Sequence, residues 1–358
     1  MRVAVVGGGI NGVCIAWALA KQLHQVTLFE RGQLMGETSS ASSKLLHGGL
    51  RYLEQRQWRL VREALAERHW WLKAAPELTR RLPILYPIYR NSRRSRWLLK
   101  AGLTLYDTLA LGKGLGWHRW LSHQAVMAME PDLERRGLLG AYCFFDGQML
   151  DDHALGLWAA EQCQAAGVEI IEQQPVLAID PEGLVVINGG MEQFDQVINV
   201  AGPWSQKLLV DSAMRPRQQL SLIRGSHLVL PGQRSHGLML EVPFEERVVF
   251  VLPHGEHTLL GTTEVRHQLG EPVRCSAEER HYLLQLYNHY FLKPRTDGEV
   301  LGSFAGVRPL LAGASSPSQL SREYVLSSQG RVLTVSGGKW TTARALARAV
   351  CAKVDEDL

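Results

Sequence analysis

Three glycines near the start of the chain, Gly7, Gly9 and Gly12, have the spacing of a loop that binds a nucleotide pyrophosphate. Glycine permits a tight turn and a close approach of the backbone to phosphate oxygens, and a following helix N-terminus supplies aligned N–H groups. Glu30 is placed to accept hydrogen bonds from ribose hydroxyls. An acid at this position favours a ribose without a 2′-phosphate, so these residues predict a site for FAD or NAD.

The elements that would hold these residues form a βαβ unit. An apolar run at 2–6 leads directly into the first glycine, a helical pattern extends to Leu23, and a second apolar run at 26–29 ends on Glu30. Because strand, helix and acid agree with one another, the nucleotide-binding prediction is much stronger than a glycine triplet alone would allow.

Length and composition indicate a globular chain of two domains, or of one large α/β unit with an inserted cap. The chain has 358 residues, of which 46% are hydrophobic, enough to bury a large core. Its five cysteines form no CxxC pair, so neither a disulfide framework nor a metal site is predicted. The first strand starts at residue 2 and no apolar run has the length of a membrane span, which predicts a cytoplasmic protein.

Positive charge is concentrated in the segment 90–111. The net charge of +4 says little about nucleic acid, and no nucleic-acid partner is predicted. Five basic residues surround Trp97 at the start of the segment, and an apolar stretch follows. Two interpretations stay open: a basic amphipathic helix that rests on the anionic inner face of the cell membrane, or a core-facing helix with a solvated basic start.

The rest of the chain predicts a nucleotide-binding fold that is interrupted by a second, mostly antiparallel β domain. Strands at 168–171 and 176–179 are interpreted as returning to the nucleotide sheet, whereas short β runs dominate between 220 and 263. The last strand, at 331–336, leads through a glycine turn back to the cofactor. The predicted division assigns 1–75, 143–215 and 300–358 to the nucleotide-binding domain, and 76–142 and 216–299 to the substrate domain.

A series of motifs extends along nearly the whole chain: Gly7-Gly-Gly-Ile-Asn-Gly12, Thr38–Glu54, Gly202-Pro-Trp204, Gly225-Ser-His227, Gly261-Thr-Thr263, Gly306–Leu310 and Gly337-Gly-Lys339. In this order they resemble the FAD-dependent glycerol-3-phosphate dehydrogenases. The serine-rich element that ends in His-Gly-Gly-Leu-Arg-Tyr is specific to that group. The glycine triplet and Gly-Pro-Trp recur across the wider amino-acid-oxidase-like flavoprotein superfamily.

The resemblance implies an α/β fold class. A Rossmann-like FAD-binding domain of the glutathione-reductase type would carry an inserted α+β substrate domain, with FAD as the cofactor. It also implies that the FAD contacts come from Gly7, Gly9, Gly12, Glu30, Ser39, Ser40, Ser43, Lys44, Val176, Ala201, Gly202, Gly338, Lys339, Thr341 and Thr342.

By the same resemblance, a substrate pocket contains His47, Arg51, Tyr52, Arg308 and Lys339, of which all but the tyrosine are expected to be catalytic. The implied reaction oxidises sn-glycerol 3-phosphate to dihydroxyacetone phosphate and passes electrons to quinone or another acceptor. A phosphate monoester carries close to two negative charges, which suits two arginines and a lysine. His47 is the expected base for the hydroxyl proton while hydride leaves to flavin N5, and Arg308 would stabilise alkoxide character.

Residue types alone also permit simpler roles. A lone arginine such as Arg51 is usually solvated or structural, and His47 before two glycines can cap a turn. His227 is expected to be a packed strand residue or an indirect contact, and Glu264 a turn or surface acid.

Some features depart from the resemblance. A further helical domain is expected after the Gly-Gly-Lys helix, and the sequence ends at Leu358 without one, so the acceptor, flavin access or oligomerisation would differ. Arg224 stands where lysine is common, and Trp340, where leucine is common, is expected to narrow the pocket. Two alternatives stay open: an amino-acid or amine oxidase of the same superfamily, and a non-catalytic flavin-binding partner protein.

Overall fold

The computed structural model describes residues 1–54, 57–110, 112–243, 245–312 and 324–356, and for Arg51 and Glu54 it describes the backbone alone. The helices in these ranges are α1 Ile10–Lys21, α2 Arg51–Glu54, α3 Trp58–Ala74, α4 Arg96–Leu109, α5 His123–Met129, α6 Asp152–Ala165, α7 Ser205–Asp211, α8 Ala277–Tyr290 and α9 Ala343–Glu356. The strands are β1 Arg2–Val6, β2 Gln25–Phe29, β3 Leu45–Leu46, β4 Thr79–Tyr89, β5 Arg119–Ser122, β6 Leu138–Met149, β7 Glu169–Ile171, β8 Val176–Ile179, β9 Leu184–Ile187, β10 Gly190–Gln193, β11 Gln196–Asn199, β12 Leu220–Pro231, β13 Gly237–Glu241, β14 Val248–His254, β15 His257–Gly261, β16 Val265–Arg266, β17 Gly302–Leu311, β18 Tyr324–Gln329 and β19 Val332–Gly337.

The nucleotide-binding unit belongs to a six-stranded sheet with the order β18-β19-β11-β1-β2-β7. Neighbours from β19 to β7 pair in parallel, and β18 joins β19 antiparallel at the edge. Strands β1 and β2 pair directly in parallel with α1 as their connection, which confirms the predicted βαβ unit.

Both faces of this sheet are buried, as the alternation along β1 illustrates. Val3 and Val5 contribute to a core that also contains buried residues of α1, α6 and α9, whereas Ala4 and Val6 contribute to a second core. Successive side chains of a strand point to opposite faces, so a continuous apolar run is typical of a parallel strand that is covered on both sides.

The second core is covered by a separate three-stranded sheet, β10-β9-β8, whose neighbours pair antiparallel. The prediction that residues 168–171 return to the nucleotide sheet is confirmed by the pairing of β7 with β2. The same prediction for 176–179 is wrong, because β8 pairs with β9 instead. Ile179 and Val185 are buried in the second core, so these strands cover a face of the nucleotide sheet rather than extending it.

A mixed, mostly antiparallel sheet carries the other half of the site. Its order is β16-β12-β15-β14-β13-β4-β6-β3, with β17 beside β12 and β5 beside β6, and β13 and β4 form its parallel pair. Helix α8 packs on one of its cores through residues such as Leu283 and Tyr287. The predicted fold class, an α/β nucleotide-binding fold with an inserted antiparallel β domain, is confirmed.

Sheet membership does not follow the predicted domain boundaries at 143 and 300. Strand β6 spans residue 143, and β17 begins after residue 300, yet both belong to the mostly antiparallel sheet. The division of the chain into domains at those residues stays a prediction.

The basic segment 90–111, of which residue 111 lies outside the described residues, contains α4. This helix buries Leu99, Leu103 and Tyr106, as the core-facing interpretation requires. It also leaves Trp97 69% and Leu98 57% exposed. Among the described residues, no helix combines the length and the apolar character needed to cross a membrane.

A buried carboxylate holds the serine-rich connector against α6. Asp152 is fully buried, and its Oδ2 accepts hydrogen bonds from the backbone N–H of Ser42 at 2.9 Å and from its hydroxyl at 2.6 Å. The Nζ of Lys44 lies 2.5 Å from Asp152 Oδ1. These bonds satisfy polar groups of an irregular segment that is shielded from water.

Asp152→Ala is expected to lower the free energy of unfolding by about 3–5 kcal/mol, because it leaves the buried ammonium of Lys44 without its partner. The neighbouring Asp151 caps α6 from the surface, accepting from His153 and Ala154 N–H, so Asp151→Ala should cost only about 1 kcal/mol. Urea unfolding of both variants measures the difference. Equal losses would mean that the Lys44–Asp152 pair contributes no more than a surface cap.

Candidate functional site

A cavity of about 500 Å³ extends from the nucleotide-binding loop to the mostly antiparallel sheet. At one end it is lined by residues at the carboxyl ends of β1 and β2, the edge at which α/β sheets bind ligands. At the other end it is lined by residues of β12, β14 and β17, including His227, Phe250 and Arg308. The predicted cofactor and substrate ends therefore belong to one continuous space.

The nucleotide end combines an open helix N-terminus with an acid. Helix α1 begins after Gly9 with no acidic residue in its first turn, and Ser39 Oγ accepts the backbone N–H of Ile10 at 3.0 Å. Glu30 lines the same cavity and accepts backbone N–H groups of Gly8 at 2.7 Å and Gly32 at 2.8 Å. A positive helix end and a fixed carboxylate suit a pyrophosphate and a ribose respectively.

Close backbone packing explains two of the glycines. Gly7 has φ +121°, and a Cβ there would lie 2.7 Å from the carbonyl oxygen of Val200. Gly338 has φ +99°, and its Cβ would lie 2.7 Å from Asn11 Nδ2. Asn11 Oδ1 is buried at the cavity without a hydrogen-bond partner among the described residues, which fits a ligand that carries hydrogen-bond donors. This end therefore fits a dinucleotide such as FAD.

The C-terminal glycine turn closes the cavity from a third side. Trp340 lines the cavity, donates its indole N–H to the Ser39 carbonyl at 3.0 Å, and packs edge-on against Trp71 at 5.1 Å between ring centroids. Trp71 in turn donates to the carbonyl of Thr341 at 3.2 Å. The turn is thus fixed to both the serine-rich connector and α3.

The opposite end of the cavity is cationic. Lys339 Nζ lies 3.8 Å from the ring centroid of Tyr52. Arg308 donates from Nη2 to the hydroxyl of Thr262 at 2.9 Å, and its Nη1 lies 3.9 Å from Glu264 Oε1. The positive charges and N–H groups of Arg308 and Lys339 suit an anion with several acceptor oxygens.

The loop that carries His47 is fixed by a buried hydrogen-bond chain. The backbone N–H of Gly48 donates to Tyr106 Oη at 2.7 Å, and the Tyr106 hydroxyl donates to Asp146 Oδ1 at 2.7 Å. Arg68 pairs with the same carboxylate oxygen at 2.7 Å. The N–H of His47 itself points to Thr341 Oγ1 at 3.4 Å. His47 lines the cavity from this anchored loop.

Most of the predicted site residues line the cavity. Ser40 and Lys44 do not: the Ser40 hydroxyl donates to the Met35 carbonyl, and Lys44 is held by Asp152. The side chain of Arg51 lies outside the described part of the structure, although its backbone begins α2. The predicted residues that line the cavity are Gly7, Gly9, Gly12, Glu30, Ser39, Ser43, His47, Tyr52, Val176, Ala201, Gly202, Arg308, Gly338, Lys339, Thr341 and Thr342.

His227 is a buried strand residue, as predicted, that also reaches the cavity. Its Nε2 lies 2.9 Å from Ser43 Oγ, and its ring stacks on Phe304 at 4.9 Å. Burial, followed by the positive charges of Arg308 and Lys44, lowers the pKa of His227 to about 3. The imidazole is therefore neutral at physiological pH.

Sequence patterns missed several residues of the site. Glu264 was expected at a turn or the surface, but its side chain is only 8% exposed and lines the cavity, because the chain after β15 turns inward beside Arg308. Arg247, Thr262 and Asp146 also line the cavity. Thr262 lies within the Gly261-Thr-Thr263 motif but was not predicted as a site residue, and no signal in the sequence marked Arg247 or Asp146.

Comparison with known proteins agrees with this geometry. The family described as FAD dependent oxidoreductase matches residues 2–353. The chain is 36% identical over 376 residues to a glycerol-3-phosphate dehydrogenase of Pseudomonas tolaasii, an alignment that covers 98% of this chain and 71% of that relative. It is 35% identical to a D-erythritol 1-phosphate dehydrogenase of Brucella abortus, with 96% and 71% covered.

Among solved structures, the glycerol-3-phosphate dehydrogenase of Bacillus halodurans complexed with FAD superposes with a TM-score of 0.78 at 24% identity. That comparison covers 99% of this chain and 64% of the other, and it shows the shared fold. The chain thus spans roughly two thirds to seven tenths of these relatives. The resemblance inferred from the motifs is confirmed: the chain belongs to the FAD-dependent oxidoreductase family, which uses FAD as its cofactor, and within it to the group of the glycerol-3-phosphate dehydrogenases.

Proposed function

We propose that this FAD-dependent oxidoreductase oxidises sn-glycerol 3-phosphate to dihydroxyacetone phosphate. The observation that carries the proposal is the cationic wall of the cavity, opposite the nucleotide end. Arg308 and Lys339 both line this wall, and their charges suit a phosphate that carries close to two negative charges. Arg51 is proposed to join them, since its backbone follows the loop of His47 in the chain.

Oxidation of a secondary alcohol removes a hydride from carbon and a proton from oxygen. When FAD is bound, its N5 supplies the hydride acceptor. His47 is the proposed base for the hydroxyl proton, because imidazole has a suitable intrinsic pKa and the side chain lines the cavity. Arg308 is proposed to stabilise negative charge on the oxygen as the proton leaves, and Lys339 to bind the substrate beside Tyr52.

The main competing function is oxidation of an amino acid or amine by the same fold. A carboxylate substrate needs one arginine, whereas this cavity is lined by Arg247, Arg308 and Lys339. Three cationic side chains in one cavity favour a substrate with more negative charge than a single carboxylate carries. A non-catalytic flavin-binding role is disfavoured by the presence of His47 and these cations in one cavity.

Electrons are proposed to leave the flavin to quinone or to another acceptor, with the chain resting on the inner face of the cell membrane. The support comes from α4, whose exposed Trp97 and Leu98 are flanked by Arg96 and Lys100. The Lys100 ammonium lies 5.6 Å from the Trp97 ring centroid. Exposed aromatic and aliphatic groups beside basic ones suit the interface of an anionic lipid surface.

Anaerobic addition of sn-glycerol 3-phosphate to the purified holoprotein should bleach the visible absorption band of the flavin, because hydride transfer reduces the ring system. Glycine, proline and simple amines should leave the band unchanged. Bleaching by an amino acid instead would establish the competing function. Bleaching by D-erythritol 1-phosphate alone would mean that the substrate is a phosphorylated polyol with a longer carbon chain than glycerol 3-phosphate.

Arg308→Ala is the matched variant for this experiment. It should lower kcat/KM about 100-fold, the loss expected for a charge-assisted contact, and retain the flavin. Arg295→Ala serves as the control, since Arg295 pairs with Glu299 outside the cavity and should change neither quantity. Loss of flavin from Arg308→Ala would mean that Arg308 belongs to the cofactor end.

Tyr106→Phe should lower kcat by about 10- to 100-fold with the flavin retained, because the loop of His47 loses the partner of Gly48 N–H. Tyr89→Phe is a matched control, since its hydroxyl bonds the Glu134 carbonyl far from the loop. Stopped-flow flavin reduction measures the rate, and absorbance at saturation measures flavin content. Equal rates of flavin reduction in the two variants would show that the Tyr106 hydroxyl does not position His47.

Replacing both Trp97 and Leu98 by serine should lower partitioning onto phosphatidylserine vesicles at least tenfold, because two exposed apolar groups no longer enter the interface. Met191→Ser removes a similarly exposed side chain, 67% exposed, from the three-stranded sheet and should have no effect. Vesicle cosedimentation at low and high salt provides the measurement. If wild-type protein does not cosediment with anionic vesicles at low salt, the proposed membrane contact is contradicted.

A further inference from the structure

A buried arginine that no motif identified lies in the cationic wall of the cavity. Arg247 precedes β14, lines the cavity and is 8% exposed. Its Nη2 donates to the carbonyl oxygen of Thr262, and its Nη1 donates to Tyr282 Oη at 3.3 Å. Its Nε is buried and has no hydrogen-bond partner among the described residues.

The charge of Arg247 is less well balanced than that of buried Arg68 or partly buried Arg224. Arg68 lies 2.7 Å from the carboxylate of Asp146, and Arg224 donates to Glu279 Oε2 from two nitrogens, at 2.7 Å and 3.1 Å. Within the described residues, the carboxylate contact of Arg247 is Glu245 Oε2 at 4.0 Å, on a side chain that is 45% exposed. A buried guanidinium without a close carboxylate is costly unless another anion binds.

Thr262 brings this arginine together with Arg308. The Thr262 carbonyl accepts from Arg247, while the Thr262 hydroxyl accepts from Arg308 Nη2 at 2.9 Å. Both guanidinium groups therefore contact one residue of the cavity wall. Glu264 also lines the cavity, and its Oε1 lies 3.9 Å from Arg308 Nη1.

We propose that Arg247 is a specificity-determining residue that binds the phosphoryl group of the substrate jointly with Arg308, across Thr262. Two guanidinium groups supply the paired donors and the charge that a dianionic phosphoryl group needs. The phosphoryl end of the substrate then lies against the wall of Arg247, Thr262 and Arg308. Arg308 serves both this end and the carbinol oxygen, whereas Arg247 serves the phosphoryl group alone. This inference rests on the proposed function only in taking a phosphorylated substrate.

The test uses the holoenzyme and the variants Arg247→Met and Arg247→Lys. Arg247→Met should raise the KM for sn-glycerol 3-phosphate and the inhibition constant of inorganic phosphate together by about 10- to 100-fold, with kcat changed less than about threefold and flavin content unchanged. Arg247→Lys keeps the positive charge but loses the planar guanidinium that donates paired hydrogen bonds, so both constants should rise by a smaller factor. Arg295→Met, which removes a partly buried arginine outside the cavity, should change neither constant.

Unchanged phosphate inhibition and unchanged KM in Arg247→Met would overturn the inference. If that variant fails to fold or loses flavin, Arg247→Lys carries the test, and wild-type constants in it would overturn the inference as well. If glycerol 3-phosphate does not reduce the wild-type flavin, the proposed function fails. Protection of the wild-type holoprotein against thermal unfolding by inorganic phosphate, compared with Arg247→Met, still decides whether Arg247 binds a phosphoryl group.

Discussion

The site depends on the burial of an irregular stretch of backbone between two sheets. Residues 38–49 connect the nucleotide-binding unit to the mostly antiparallel sheet, and polar groups removed from water must find partners within the protein. Asp152 supplies them for Ser42, His227 for Ser43, and Tyr106 for Gly48. The three partners come from α6, β12 and α4, so distant parts of the chain meet on this one segment. Contacts of its neighbours therefore help to fix the position of His47.

Charged side chains of both signs line the cavity. Glu30 lies at the nucleotide end, and Arg247, Arg308 and Lys339 line the cavity together with Glu264. The electrostatic surroundings of His227 are positive, because after burial the charges of Arg308 and Lys44 are the causes that lower its pKa. A field that disfavours a proton on imidazole favours a bound anion for the same reason.

The elements whose signals are local were predictable from the sequence. Strand β1 has the bounds expected from its apolar run, 2–6, and the glycines with Glu30 predicted the βαβ unit. The pairing of β8 was not predictable, because four apolar residues do not specify which sheet they join. Arg247, Asp146 and Glu264 were missed for a related reason. Their roles arise from partners far along the chain, such as Gly48 and Tyr106 for Asp146, and no spacing rule encodes such contacts.

Helix α4 shows how one element can serve both the surface and the site. Its first turn exposes Trp97 and Leu98, and nine residues after Trp97 the same helix presents Tyr106 to the loop of His47. Nine residues of helix span about 14 Å, and between the two positions Leu99 and Leu103 pack the helix into the core. The helix that carries the proposed membrane contact therefore also carries the hydroxyl that holds the loop of His47.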